Sequence, residues 1–124
     1  MSKPKIVVVE DDFLLALVTR KYMEREGFEC FTFTNSTDFF KFYDQNKDIE
    51  LLILDVKIKG EMNGLELFEK FSSISNVPVV FTTGNSEVID DKSVQLEQVK
   101  GILIKPINLE EVSQIISGLK IKSL

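Results

Sequence analysis

Histidine is absent from the 124-residue chain, cysteine occurs once as Cys30, and tryptophan is missing as well. Without an imidazole there is no serine or cysteine triad, no histidine base and no structural zinc centre of the Cys/His kind. A lone cysteine excludes an internal disulfide, and Cys30 reads as a small core or edge residue rather than a redox centre. Basic charge is short too. Fifteen Lys and Arg stand against 20 Asp and Glu, a net charge of −5, so the electrostatic footprint of a nucleic-acid or anionic-membrane binder is missing. Long hydrophobic runs are also absent: Met1-Ser2-Lys3-Pro4-Lys5 leads into only four apolar residues before Glu10, far below the roughly 20 residues of a spanning helix. The expectation is a soluble, cytoplasmic protein with neither membrane insertion nor direct nucleic acid binding.

What is present suits one ordinary domain, with 44% hydrophobic and 28% charged residues and ten Phe. Four continuous apolar runs, Ile6–Val9, Leu51–Leu54, Val77–Phe81 and Ile102–Ile104, have the pattern of strands buried on both faces of a parallel sheet. A fifth run, Glu29–Phe33, alternates and predicts an edge strand with one wet face. Between them fall helical spacings. Leu14, Leu15, Val18 and Tyr22 form the first stripe, with Gly27 as its stop; Phe39, Phe40 and Tyr43 form the second, and Leu65, Phe68 and Phe71 the third. A looser pattern over Ser86–Val99 suggests another helix, and Val112, Ile115, Ile116 and Leu119 mark the last, opened by an Asn108/Glu111 capping box. Phe42 lies off its stripe and is expected to be exposed on a partner surface. Strand and helix alternate five times, which predicts an α/β fold with a doubly wound, five-stranded parallel sheet and a single domain over residues 1–124, without an output domain.

In such a sheet, ligands bind beyond the carboxyl ends of the strands. Those ends are polar here: Glu10-Asp11-Asp12, Asp55, Thr82-Thr83-Gly84 and Lys105-Pro106. Converging carboxylates repel one another unless a cation sits among them, and hard oxygen ligands suit Mg²⁺. Lys105 and the Thr83 hydroxyl, opposite such a metal, suit the oxygens of a transferring phosphoryl group, with Asp55 as the nucleophile that forms an acyl phosphate. Asp12 reads as a helix cap instead of a ligand.

In this combination and order the chain resembles a response-regulator receiver domain, of the chemotaxis-receiver kind, over essentially its whole length. The resemblance implies a flavodoxin-like (βα)5 three-layer sandwich with strand order 2-1-3-4-5. It implies that Asp55 accepts phosphate, that Asp11 binds Mg²⁺ directly and Glu10 mainly through water, and that the Lys57 backbone carbonyl is a third protein ligand. Thr83 then resembles the hydroxyl that bonds a phosphoryl oxygen and Lys105 the lysine that pairs with the phosphate, before a cis Lys105-Pro106 bond. Three departures accompany it. Asp55 and Gly64 are nine positions apart where eight is commoner, and the usual proline is missing from that loop. Ile102 stands where many receivers carry an aromatic, three before the lysine. Lys57 and Asn85 occupy the positions at which the family tunes dephosphorylation.

The function expected is that of a two-component switch: a single-domain receiver taking a phosphoryl group from a phosphohistidine on a histidine kinase or histidine phosphotransfer protein, and signalling to an unknown protein target. Its chemistry is self-modification at Asp55, phosphorylation and autodephosphorylation, without turnover of an external substrate. The alternative is a degenerate receiver acting as a phosphorylation-independent adaptor, favoured by Ile102 and the altered loop. A haloacid-dehalogenase-type phosphatase needs a second Asp where this chain has Lys57.

Overall fold

The computed structural model describes residues 3–84 and 96–119. Chain order is β1 (Lys5–Val9), α1 (Phe13–Arg25), β2 (Glu29–Phe33), α2 (Ser36–Gln45), β3 (Ile49–Asp55), α3 (Gly64–Ser72), β4 (Val79–Thr83), β5 (Val99–Ile104) and α4 (Leu109–Gly118). The strands form one parallel sheet in the order β2-β1-β3-β4-β5. This is the doubly wound, flavodoxin-like topology that the apolar runs and the resemblance predict. Of the expected helix over Ser86–Val99, residues 85–95 lie outside the described residues, while Leu96 sits in a turn and Val99 already begins β5.

The continuous apolar runs follow from burial on both faces. Along β1 and β3, Val7, Val9, Leu52 and Leu54 pack with Phe39, Leu67, Phe68 and Phe71 of α2 and α3. Their alternate neighbours Ile6, Val8, Leu51 and Ile53 pack with Met23 of α1 and Val112 and Ile116 of α4. Aromatic rings tie the first layer together, with Phe39 and Tyr43 at 5.6 and 5.1 Å from Phe71 and Phe68 at 5.2 Å from Phe81, separations at which ring edges meet ring faces.

Several local expectations need correction. The stripe Leu14, Leu15, Val18 and Tyr22 is not the buried face of α1; that face is Ala16, Thr19 and Met23, while Leu14 and Val18 face solvent. Small side chains at positions 16 and 19 bring the helix axis close to the sheet, so the larger apolar residues are turned outward. Phe42 is half-buried, not exposed: its ring lies 4.7 Å from Phe31 and 5.0 Å from Phe33, covering the otherwise wet face of edge strand β2. At the other edge β5 is only partly covered, with Ile104 exposed, so its run is not buried on both faces. Asn108 does cap α4, but its Oδ1 accepts from the Glu110 N–H at 2.9 Å and not from Glu111. The capping box belongs to α3, where Asn63 Oδ1 accepts from the Glu66 N–H and Glu66 Oε1 from the Asn63 N–H, both at 2.9 Å. Gly27 ends α1 as expected, with φ of 95°.

Among the described residues no helix is long and apolar enough to cross a membrane. Cys30 is buried in β2, and burial, with the Glu24 charge second and Arg20 opposing, pushes its thiol up to about 12, which leaves it an inert packing group.

Candidate functional site

Each site residue stands at the carboxyl end of a strand because the parallel sheet aligns those ends. Glu10 follows β1, and its backbone N–H donates to the Phe33 carbonyl at 2.9 Å. Asp12 opens α1, where its Oδ1 accepts from the Leu15 N–H at 3.1 Å. Asp55 ends β3 in register with Thr82 of β4. Thr83 ends β4, and its carbonyl accepts from the Lys105 N–H at 2.7 Å, so the residue after β5 is anchored through its backbone. The Lys105-Pro106 bond is cis, as the resemblance implies.

Lys105 joins the acidic residues. Its Nζ donates to Asp55 Oδ2 at 2.9 Å and pairs with Glu10 Oε1 at 3.0 Å. The other Glu10 oxygen accepts from the Asp12 N–H at 3.1 Å, and Asp55 Oδ1 accepts from the Lys57 N–H at 3.0 Å. Glu10, Asp55 and Thr83 are buried, Asp11 is half-buried, and the Lys57 side chain points to solvent. One carboxylate oxygen from each of Glu10, Asp11 and Asp55 lies within 4.8 Å of the others, a spacing that a small divalent cation can bridge. Asp12 stays outside this set, as a cap. Asn85 lies outside the described residues. Ile102 is half-buried and packs against the core layer of α2 and α3.

The buried cluster carries an electrostatic strain. Burial, and then the hydrogen bond to Asp55, push the Glu10 carboxyl up from 4.5 to about 7, against the lowering contacts of the Asp12 N–H and Lys105. Burial alone would lower the Lys105 ammonium, but the hydrogen bonds to Asp55 and Glu10 and their charges outweigh it and leave its pKa raised. Between pH 4.5 and about 7 the metal-free folded protein therefore holds a proton on Glu10 that the unfolded chain has released. Folding takes up that proton, so Glu10 makes the metal-free fold less stable as pH rises through this window. A cation at the cluster must displace the same proton. Mg²⁺ affinity is thus expected to fall about tenfold for each unit of pH below 7 until the window ends, and to level off above it. Calorimetric titration with Mg²⁺ from pH 5 to pH 8 checks this; a flat profile contradicts it.

The loop over the site is shaped by close backbone approach. The Gly64 N–H donates to the Val56 carbonyl at 2.8 Å. An added Cβ at Gly64 would overlap the Asp55 carbonyl oxygen and lie 2.6 Å from Val56 Cα. Gly64, whose spacing from Asp55 the sequence had marked as a departure, is thus a positioning residue, and the close backbone approach that requires a glycine there is what the spacing alone does not show. Gly60, with φ of 112°, supplies the left-handed turn within the loop.

At the strand ends of this doubly wound sheet, a metal-competent acidic trio has its buried aspartate salt-bridged to a lysine, an arrangement built to stabilise charge at one carboxylate. The chain belongs to the response regulator receiver domain family, whose model matches residues 6–117. It is 31% identical over 110 residues to the transcriptional regulatory protein CrdR of Helicobacter pylori, covering 87% of this chain and 51% of that protein. It is 33% identical over 86 residues to the transcriptional regulatory protein CpxR homolog of Haemophilus influenzae, covering 69% of this chain and 37% of the relative. The chain thus spans about half or less of the length of these two curated relatives. Among solved structures, a response regulator receiver protein from Pseudomonas putida superposes with a TM-score of 0.85 over 95% of this chain and 98% of its own, at 18% identity, which speaks to the fold.

Proposed function

We propose that Asp55 takes a phosphoryl group from the phosphohistidine of a partner histidine kinase or histidine phosphotransfer protein in the cytoplasm, and that the acyl phosphate switches the contacts of this domain with a downstream protein. The observation that carries this reading is the double contact of Lys105, which places an ammonium on the oxygen of Asp55 while that carboxylate remains in reach of Glu10 and Asp11.

The donor set fits Mg²⁺: three carboxylates, two of them buried, crowd into one cleft, and one of them has its pKa raised. Asp11 and Asp55 would hold the ion directly, Glu10 mainly through water, and the Lys57 carbonyl would complete the protein ligands. When bound, the ion supplies positive charge against the oxygens of the transferring group. The remaining work falls to the chain. An Asp55 carboxylate oxygen attacks the phosphorus, the P–N bond to the donor imidazole breaks, and the electron pair leaves with the imidazole. Lys105 offsets negative charge as it builds on the phosphoryl oxygens, and the Thr83 hydroxyl donates to one of them. These 124 residues contain no histidine, so the phosphohistidine lies outside them. The single-domain reading of residues 1–124 is part of the same proposal.

Intact mass after incubation with Mg²⁺ and a small acyl-phosphate donor tests the proposal. One phosphoryl adduct is expected, lost when the metal is chelated. An adduct that forms equally well in chelator, or none with either the small donor or a phosphohistidine protein, contradicts it.

A further inference from the structure

The loop from Val56 to Asn63 passes over the phosphoryl site, and beyond Val56 only one of its side chains is buried. Lys57, Lys59, Gly60, Glu61 and Asn63 are exposed and Met62 is half-buried. Ile58, by contrast, is only 4% exposed and belongs to the same buried layer as Val9, Phe39, Leu54 and Leu67. The loop contains no proline to stiffen it. Isoleucine is stiff about its first side-chain torsion, so burying it fixes the backbone that carries it.

Lys57 lies between two rigid peptide planes that are held by different means. The plane before it contains the Val56 carbonyl, which accepts from the Gly64 N–H at 2.8 Å, and the Lys57 N–H, which donates to Asp55 Oδ1 at 3.0 Å. Hydrogen bonds therefore fix that plane at both of its polar groups. The plane after it contains the Lys57 carbonyl and ends at the Ile58 Cα. This carbonyl accepts no backbone hydrogen bond from the described residues, so it is available to a cation, and its direction depends on where Ile58 is held.

We propose that Ile58 is a positioning residue for the phosphoryl site: its buried side chain holds the peptide plane through which Lys57 offers its carbonyl to Mg²⁺. This role rests on the reading that Mg²⁺ binds beside Asp55. With Ile58 as one anchor and Gly64 as the other, the added length of the loop is taken up in the stretch 59–63 and does not reach the site.

The test compares Ile58→Ala with Ile49→Ala in the full chain. Both remove the same atoms from the same buried layer at 4% exposure, but Ile49 stands at the opposite end of β3 from Asp55, about 20 Å along the strand. Calorimetric titration with Mg²⁺ is expected to show binding about tenfold weaker in Ile58→Ala, the usual effect of loosening a group that orients a metal ligand, and unchanged in Ile49→Ala. At saturating Mg²⁺, phosphoryl uptake from a small acyl-phosphate donor should stay within about threefold of wild type, because Asp55, Thr83 and Lys105 are untouched. In the metal-free protein the residue-58 amide should have an NMR order parameter of about 0.85 in wild type and Ile49→Ala, and below about 0.6 in Ile58→Ala. Ile58→Leu, which refills the volume, should restore wild-type Mg²⁺ binding. If Ile58→Ala does not fold, Ile58→Val takes its place, with binding about threefold weaker. Unchanged Mg²⁺ affinity in the residue-58 variant, an equal loss in Ile49→Ala, or a residue-58 amide that stays rigid overturns this role while the phosphoryl-site reading stands. A wild type that binds no Mg²⁺ overturns that reading and this role with it.

Discussion

Lys105→Ala is expected to slow phosphoryl uptake by Asp55 by at least about a hundredfold at saturating Mg²⁺, the usual effect of removing one preorganised charge donor from a transferring group. The Lys105 Nζ lies 2.9 Å from Asp55 Oδ2 and 3.0 Å from Glu10 Oε1. No other side-chain cation among the described residues makes an ion pair with either carboxylate. The variant should still fold, because the Lys105 backbone keeps its bond to the Thr83 carbonyl and its side chain is partly exposed. It should also bind Mg²⁺ more tightly, since the cation then lacks a competitor for the two carboxylates. Single-turnover phosphorylation followed by intact mass reads the rate directly. A rate within threefold of wild type would remove Lys105 from the chemistry and reduce it to a structural counter-ion.

The largest effect on stability is expected at Gly64. An alanine there drives its Cβ into the Asp55 carbonyl oxygen and the Val56 Cα, which are backbone atoms of the strand end that carries the site. No rotamer change relieves such a clash, so α3 or the end of β3 must move. Overpacking usually costs about 1–3 kcal/mol, and one against backbone belongs at or above the top of that range, a large part of the roughly 5–15 kcal/mol of a typical domain. Urea unfolding of Gly64→Ala should show a midpoint far below that of wild type, or no folded baseline. Any folded fraction should also bind Mg²⁺ more weakly, because Asp55 is displaced with its strand. A midpoint matching wild type would mean that the α3 start is free to shift.

Strands β1, β3 and β4 were legible because burial on both faces writes itself as an unbroken apolar run; the edge strands are only partly covered, and β2 alternates because Glu29 and Thr32 interrupt its apolar residues. Helix faces were less so. In α1 the large apolar residues Leu14 and Val18 point outward while Ala16 and Thr19 pack, and periodicity weights size rather than the closeness a small side chain permits. Phe42 was misjudged for a related reason: its partners, Phe31 and Phe33, belong to another element, so no helical stripe could include them. The candidate site was readable as a set of residues since each one terminates a strand in a parallel sheet, where the termini must gather. Its geometry was not. The bridge from Lys105 to both Asp55 and Glu10 and the rise of the Glu10 pKa arise between segments far apart in sequence, and the clearance at Gly64 arises from how the loop folds back on the end of β3.

The position of the phosphoryl group decides whether Asp55 is the acceptor. The protein phosphorylated with Mg²⁺ and an acyl-phosphate donor is treated with borohydride, which reduces an aspartyl phosphate to homoserine, and its peptides are then mapped by mass. Homoserine is expected at position 55 alone, and no adduct at all in Asp55→Asn. Phosphate retained on a serine or threonine, homoserine at another aspartate, or an undiminished adduct in Asp55→Asn would contradict it.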